Sequence, residues 1–386
     1  MILRVIAVSQ ARPGMLVARE LLDEKGQVLL HKNVSLTREY IRALESKGFT
    51  RICVKDPEEP AGCEPQEDIS PAVRMRAHCA LRNAFEKIAS EVGTLRAESA
   101  QECGKVFEAG RVAGLLGRNG PLAKVVESVS HIIENVLSRS VLAGLTSIKT
   151  ADTALFEHSL DVCAVSVLTG HTVGLQYDWL RQLAAGSLLH DIGRLFLDKT
   201  VTGGLAVKQH TILGYELLRA SEQSDILTPH VAYEHHERPD GQGLPRGLMA
   251  GNRVKRDRSQ RPPIPTVLGE IAAVANAYDN LLSGDEKTPG LPPDETLRVI
   301  REGAGTRFNQ ELVAALLRVA PVYPKSSEVV VLSGAFRRHT AVVTEVHPAR
   351  LDRPVIQVFR DAAGKPITPV EIDLLEESEI VIQCRI

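Results

Sequence analysis

Paired cysteines, long apolar runs and a large net charge are all missing from this sequence, and each absence removes a class of protein. The six cysteines, Cys53, Cys63, Cys79, Cys103, Cys163 and Cys384, are scattered with no C-x-x-C pair, so neither a disulfide framework nor a thiolate zinc site is indicated. They read as reduced, buried or incidental thiols. No apolar run approaches the roughly 18 to 20 residues that span a bilayer, and the stretch MILRVIAVSQARPG is too short in apolar residues for a signal peptide. The expected compartment is therefore the cytoplasm, with no membrane partner. Basic and acidic residues number 46 and 48, a formal charge of −2, so no global field calls for nucleic acid and any anionic ligand has to be held by local charge.

What is present is an ordinary globular composition: 386 residues, 44% of them hydrophobic, enough for two or three domains. The first segment alternates short β-rich runs, Leu3 to Val8, Met15 to Leu22 and Gln27 to Leu30, with Pro13-Gly14 and Lys25-Gly26 as turns. A helix follows, capped by Ser35 or Thr37, with Ile41 and Leu44 inward and Gly48 stopping it before the strand Arg51 to Val54. Residues 1–57 thus read as a small α/β module, and residues 58–71, rich in proline and acids, as a linker. Residues 72–320 carry helix-spaced apolar positions such as Val125, Val129, Ile132, Ile133 and Val136 and read as an all-α domain. Residues 321–386 change to strand-like runs, Glu328 to Leu332, Ala341 to Val346 and Pro354 to Phe359, a small β-rich module.

Seven of the twelve histidines lie between His158 and His236: His158, His171, His190, His210, His230 and the adjacent His235-His236. Neutral imidazoles bind transition metals and a carboxylate can bridge two cations, so a His/Asp cluster is what a dinuclear site requires. In Leu188-Leu189-His190-Asp191-Ile192-Gly193, the apolar run from Leu183 predicts a buried helix ending in two polar residues. Burying an ionised Asp costs several kcal/mol unless it is paired or coordinates a metal. A satisfied His-Asp core pair is the competing explanation. His171 and His230 fit helix-surface or core positions, and His31, His78, His131, His339 and His347 lie outside the cluster.

His158-Ser159, His190-Asp191-Ile192-Gly193-Arg194, Lys208-Gln209-His210 and His235-His236-Glu237-Arg238-Pro239-Asp240-Gly241-Gln242-Gly243-Leu244-Pro245, in this order, resemble the HD-GYP family of bacterial phosphodiesterases. The resemblance runs from about Leu142 to Leu282. It implies an HD-type helical bundle for the central domain and hydrolysis of cyclic di-GMP with two divalent ions, iron or manganese expected. Carried over residue by residue, Asp191 would bridge the ions and be catalytic, His158 and His190 would hold one, and His210, His235 and His236 the other. Arg194, counted with Asp191 as catalytic, stands where the family has lysine; as a permanent cation it would contact a phosphate oxygen and could not donate a proton. Asp240, Gly241, Gly243 and Arg246 fall in the turn expected to meet substrate, although by residue type alone this is just a turn and Glu237 and Asp240 could equally be turn caps.

Several positions depart from the family pattern. Asn276, in Ala275-Asn276-Ala277-Tyr278-Asp279-Asn280-Leu281, replaces an aspartate and would be a weaker ligand to the first ion. Leu244 replaces the tyrosine of the G-Y-P turn, and Ala154 replaces a glutamate that some three-metal members carry, favouring two ions. An arginine and an R-P-Y-like segment are replaced by Glu270 and Ser283-Gly284-Asp285-Glu286, while Arg253 to Arg261 add a basic loop that reads first as solvated surface. The expectation is a cyclic-dinucleotide phosphodiesterase in second-messenger signalling. The alternatives are a degenerate HD-GYP domain serving as a ligand-binding or protein-interaction module, and an HD phosphohydrolase of another nucleotide. Signalling-protein partners and a homodimer stay open.

Overall fold

The computed structural model describes residues 3–18, 20–22, 28–47, 49, 51–55, 67–92, 105, 107, 115–144, 153–198, 200–222, 225–255, 263–284 and 288–385. The Lys25-Gly26 turn, Gly48, most of the 58–71 linker, Asp285-Glu286 and residues 256–261 of the basic loop lie outside the described residues.

In the first segment, β1 (Leu3–Ala7) and β2 (Leu16–Val17) both pair antiparallel with β5 (Arg51–Lys55), giving the order β1-β5-β2. The run Met15 to Leu22, expected as one strand, divides: β2 pairs with β5, whereas β3 (Leu21–Leu22) pairs with β4 (Val28–Leu30). Between β4 and β5 lies α1 (Arg38–Ser46), started by Thr37, whose hydroxyl accepts the Tyr40 N–H at 3.2 Å. Leu44 is buried and Ile41 half-buried, packing with Val8, Leu21, Ile52 and Val54.

A second hydrophobic core runs from Ile69 to Ala320 and is made by helices. They are α2 (Pro71–Val92), α3 (Leu122–Leu137), α4 (Ala154–Thr172), α5 (Tyr177–Leu189), α6 (Gly203–Ala220), α7 (Thr228–Glu234), α8 (Val267–Ser283), α9 (Pro293–Glu302) and α10 (Gln310–Leu316). The 3.6-residue spacing of α3 is realised in Val125, Val129, Ile132, Ile133 and Val136, all buried. The central element is α4, buried from His158 through Gly170 and packed against α5 and α8.

After Ala320 the chain forms a five-stranded antiparallel sheet in the order β10-β6-β7-β8-β9. Its strands are β6 (Glu328–Val331), β7 (Thr340–Glu345), β8 (Val355–Arg360), β9 (Pro366–Asp373) and β10 (Ile382–Cys384). The sheet has its own core, including Val329, Val331, Val343, Ile356, Val358 and Leu374. The sequence pattern misses β9 because it is an edge strand with most side chains exposed, where Pro366 and Pro369 cost no interior ladder bonds. Cys384 N–H donates to Asp294 Oδ2 at 3.1 Å, tying β10 to α9.

Candidate metal centre

The apolar helix α5 ends at Leu189 with His190 as its C-cap, and Asp191 precedes a 3₁₀ turn, Ile192–Phe196. Gly193 lets that turn lie directly on α6, since a Cβ there would sit 2.0 Å from the His210 carbonyl oxygen and 2.7 Å from Gly214 N. The close approach carries Asp191 to His210. From the other sides, α4 supplies His158 and the end of α7 supplies His235 and His236.

Asp191 lies between two groups of imidazoles. Its Oδ1 is 3.2 Å from His210 Nε2 and 3.6 Å from His235 Nε2, and its Oδ2 is 3.7 Å from His190 Nε2 and 4.0 Å from His158 Nε2. In each set, His158, His190, Asp191 and His210, His235, His236, one donor atom per residue falls within 4.8 Å of the others.

The remaining nitrogens fix which edge of each ring is bare. His190 Nδ1–H donates to the Ser187 carbonyl at 2.7 Å, His210 Nδ1–H to Ala206 at 2.9 Å, His235 Nδ1–H to Ala232 at 2.9 Å, and His158 Nδ1–H to Asp279 Oδ2 at 2.6 Å. Burial pushes His190 and His210 down from 6.5 to about 4 and His235 to about 3, so all three are neutral at pH 7. Burial, with His235 beside it, also holds His236 well below 6.5. Burial alone would raise Asp191, but His190 and Arg194 hold it well below the usual carboxylate range, so it stays ionised.

This arrangement fits divalent transition-metal ions. His210 Nε2 and His235 Nε2 face one another at 3.2 Å with their protons on the opposite edges, so two lone pairs converge beside a carboxylate. Asp191 Oδ1 and His236 Nε2 are buried without a hydrogen-bond partner. Orphaned acceptors of this kind are costly unless a cation takes them, and nitrogens bound about 2.1 Å from one ion lie at such separations.

Other residues singled out in the sequence fall as follows. Asn276 is buried on α8, its side-chain oxygen accepting from Asn280 Nδ2 at 2.8 Å. Arg194, with its side chain 44% exposed, places Nε 2.7 Å from Asp191 Oδ2. Asp240 is bound to Arg238 and to the Gln242 N–H, and Gly241 takes φ +75° with its N–H on the Arg238 carbonyl. Gly243 is required by contact, because a Cβ there would lie 2.3 Å from Arg238 N. The amides of Gly241, Gln242 and Leu244 are thus satisfied within the protein, rather than turned toward a ligand as the turn composition suggests. Glu237 accepts the Arg246 and Leu248 N–H groups, both at 2.8 Å, the turn-cap alternative rather than support of an imidazole. Arg246 is ion-paired with Glu234 and lies over the Tyr233 ring, 4.5 Å from its centroid. Glu270 is buried and accepts from Asn309 Nδ2.

Among the discounted histidines, His78 pairs with Glu157 at 2.7 Å and His230 with Glu234 at 3.1 Å, while His171 is exposed. Asp279 was not singled out by sequence reasoning, although its spacing of one helical turn from Asn276 put it on the same face of α8. Glu157 was missed too: with Asp161 it binds Arg74 of α2, at 2.8 and 2.9 Å.

Residues 155–281 match the HD domain family. A cyclic di-GMP phosphodiesterase of Pseudomonas aeruginosa is 28% identical over 271 residues, covering 67% of this chain and 61% of its own length. A cyclic di-GMP phosphodiesterase response regulator of Xanthomonas campestris pv. campestris is 30% identical over 164 residues, covering 40% of each chain. The chain thus spans about three fifths or less of the length of these curated relatives. A solved structure, a HDG"Y"P protein from Bdellovibrio bacteriovorus, covers 81% of this chain and 98% of its own at 16% identity and a TM-score of 0.41, too distant to carry weight. The HD match covers every residue of the histidine cluster, and the chain is similar to these cyclic di-GMP phosphodiesterases.

Proposed function

We propose that this chain is a metal-dependent phosphodiesterase that hydrolyses cyclic di-GMP or a related cyclic dinucleotide in bacterial second-messenger signalling. The observation that carries this reading is the converging pair of bare Nε2 atoms on His210 and His235, 3.2 Å apart beside the ionised Asp191. The relatives, cyclic di-GMP phosphodiesterases, supply the substrate class.

His158, His190 and Asp191 Oδ2, with Asn276 of α8 as the resemblance implies, would hold one ion, and His210, His235, His236 and Asp191 Oδ1 the other. Bound there, the ions would activate water and neutralise phosphoryl oxygens; iron or manganese suits imidazole and carboxylate donors. Arg194 can meet a phosphate oxygen as a fixed cation but holds no transferable proton. Arg246 can do so only by leaving Glu234 and Tyr233. We assign residues 1–57 to an α/β module, 58–71 to a linker, 72–320 to the phosphohydrolase domain and 321–386 to a β module; among the described residues no helix is long and apolar enough to cross a membrane.

Purified protein loaded with Mn²⁺ or Fe²⁺ should linearise cyclic di-GMP, and Asp191→Ala should abolish this. No turnover with any divalent ion, beside a working positive control, overturns the proposal. A substrate panel separates another nucleotide from a cyclic dinucleotide. One observation favours a second reading, a binding or interaction module: the amide oxygen of Asn276 is already engaged by Asn280. Ligand binding that survives Asp191→Ala, with no turnover restored by Asn276→Asp, would favour that reading.

A further inference from the structure

The two oxygens of Asp191 are not equivalent. Oδ1, on the side of His210 and His235, has no hydrogen-bond partner. Oδ2, on the side of His190 and His158, is already ion-paired with Arg194 Nε at 2.7 Å. A guanidinium at that distance offsets part of the oxygen's charge and occupies one of its two lone pairs, which weakens it as a ligand. Asn276, the residue that the family resemblance assigns to that side, offers an uncharged amide oxygen that already accepts from Asn280.

The two positions therefore differ in what they offer. One has three neutral imidazoles, His210, His235 and His236, and a free carboxylate oxygen. The other has two imidazoles and a carboxylate oxygen shared with Arg194. Asp279 on His158 Nδ1 works in the opposite direction by making that ring a stronger donor, but it adds no ligand atom.

Resting on the metal-enzyme reading above, we propose that the two cation positions are strongly unequal: the His210, His235, His236 position fills first, and the His158, His190 position binds about ten-fold or more weakly because Arg194 holds its carboxylate oxygen. The protein then carries one ion at low free metal and gains the second only as free metal rises, which makes Arg194 the residue that sets the threshold.

The test is a Mn²⁺ titration of the metal-stripped full chain by calorimetry, with bound metal counted by elemental analysis. The wild type should show two resolved steps. His210→Ala should remove the tight step, and His158→Ala should remove the weak one while leaving the tight one in place. Arg194→Gln should strengthen the weak step several-fold and leave the first unchanged. Asn276→Asp, which truncates nothing, should also strengthen the weak step. Two equal steps, loss of the tight step in His158→Ala, or no change of the weak step in Arg194→Gln would each overturn the proposal. The phosphodiesterase reading fails separately, by absence of cyclic di-GMP turnover with both positions filled, an outcome that leaves the order of the steps standing.

Discussion

His158 donates its Nδ1–H to Asp279 Oδ2 at 2.6 Å, joining α4 to α8 across 121 residues of sequence. The contact orients the ring with Nε2 toward Asp191 and strengthens that nitrogen as a donor. Asp279→Asn keeps an acceptor but removes the charge, and is expected to weaken metal binding by about 10- to 100-fold with little change in melting temperature. Calorimetric titration measures it; unchanged metal affinity would show that the carboxylate is only packing.

The buried histidines make stability depend on pH in a definite direction. Burial depresses His190 and His210 from 6.5 to about 4 and His235 to about 3, so below pH 6.5 the unfolded chain takes up protons that the folded chain refuses. Their contribution is whole above pH 6.5 and is lost as pH falls toward 4. The melting temperature of metal-stripped protein should drop across that window and be flat with respect to these groups above pH 7. A scan that is level from pH 6.5 to 4.5 would contradict the assignment of neutral imidazoles.

Gly193→Ala is expected to damage both fold and site. The added methyl would meet the His210 carbonyl oxygen at 2.0 Å, so the 3₁₀ turn has to lift from α6 and carry Asp191 with it. Overpacking of this kind costs about 1–3 kcal/mol or more. Denaturant unfolding should show the loss, and metal analysis a reduced content.

The contact between α2 and α4 offers a test away from the metal centre. Arg74 binds Glu157 and Asp161, and His78 also binds Glu157. Burial would raise Glu157, but Arg74 and His78 bring it down to about 2. Arg74→Ala leaves two carboxylates largely buried and should cost about 3–5 kcal/mol in denaturant unfolding, with a loss below 1 kcal/mol refuting the clamp.

Much of the helical region was legible because period and burial agree, as in α3 and in the apolar run of α5 that ends at His190. The gathering of His158, His190, Asp191, His210, His235 and His236 was anticipated from the ordered motifs that resemble the HD-GYP family, and for His190-Asp191 also from their place at the end of an apolar helix. Asp279 and Arg74 could not be read the same way, because each acts through a partner far along the chain; only the one-turn spacing from Asn276 pointed to Asp279. The split of Met15 to Leu22 into β2 and β3 escaped for the same reason, since pairing with β5 or β4 is a tertiary choice. In the GYP-type turn, composition suggested ligand-facing amides, and the folded chain uses them on its own carbonyls and carboxylates.

Glu237 holds the amides of both Arg246 and Leu248, and it directly follows His236. The intervening turn is therefore buckled shut at its base, with the histidine pair on one side of the buckle and the basic stretch after Leu248 on the other. Beyond it, Asn252 Nδ2 donates to the Gly305 carbonyl at 3.0 Å and the Val254 N–H to Glu311 Oε2 at 2.8 Å, a second fastening that does not involve the histidine pair.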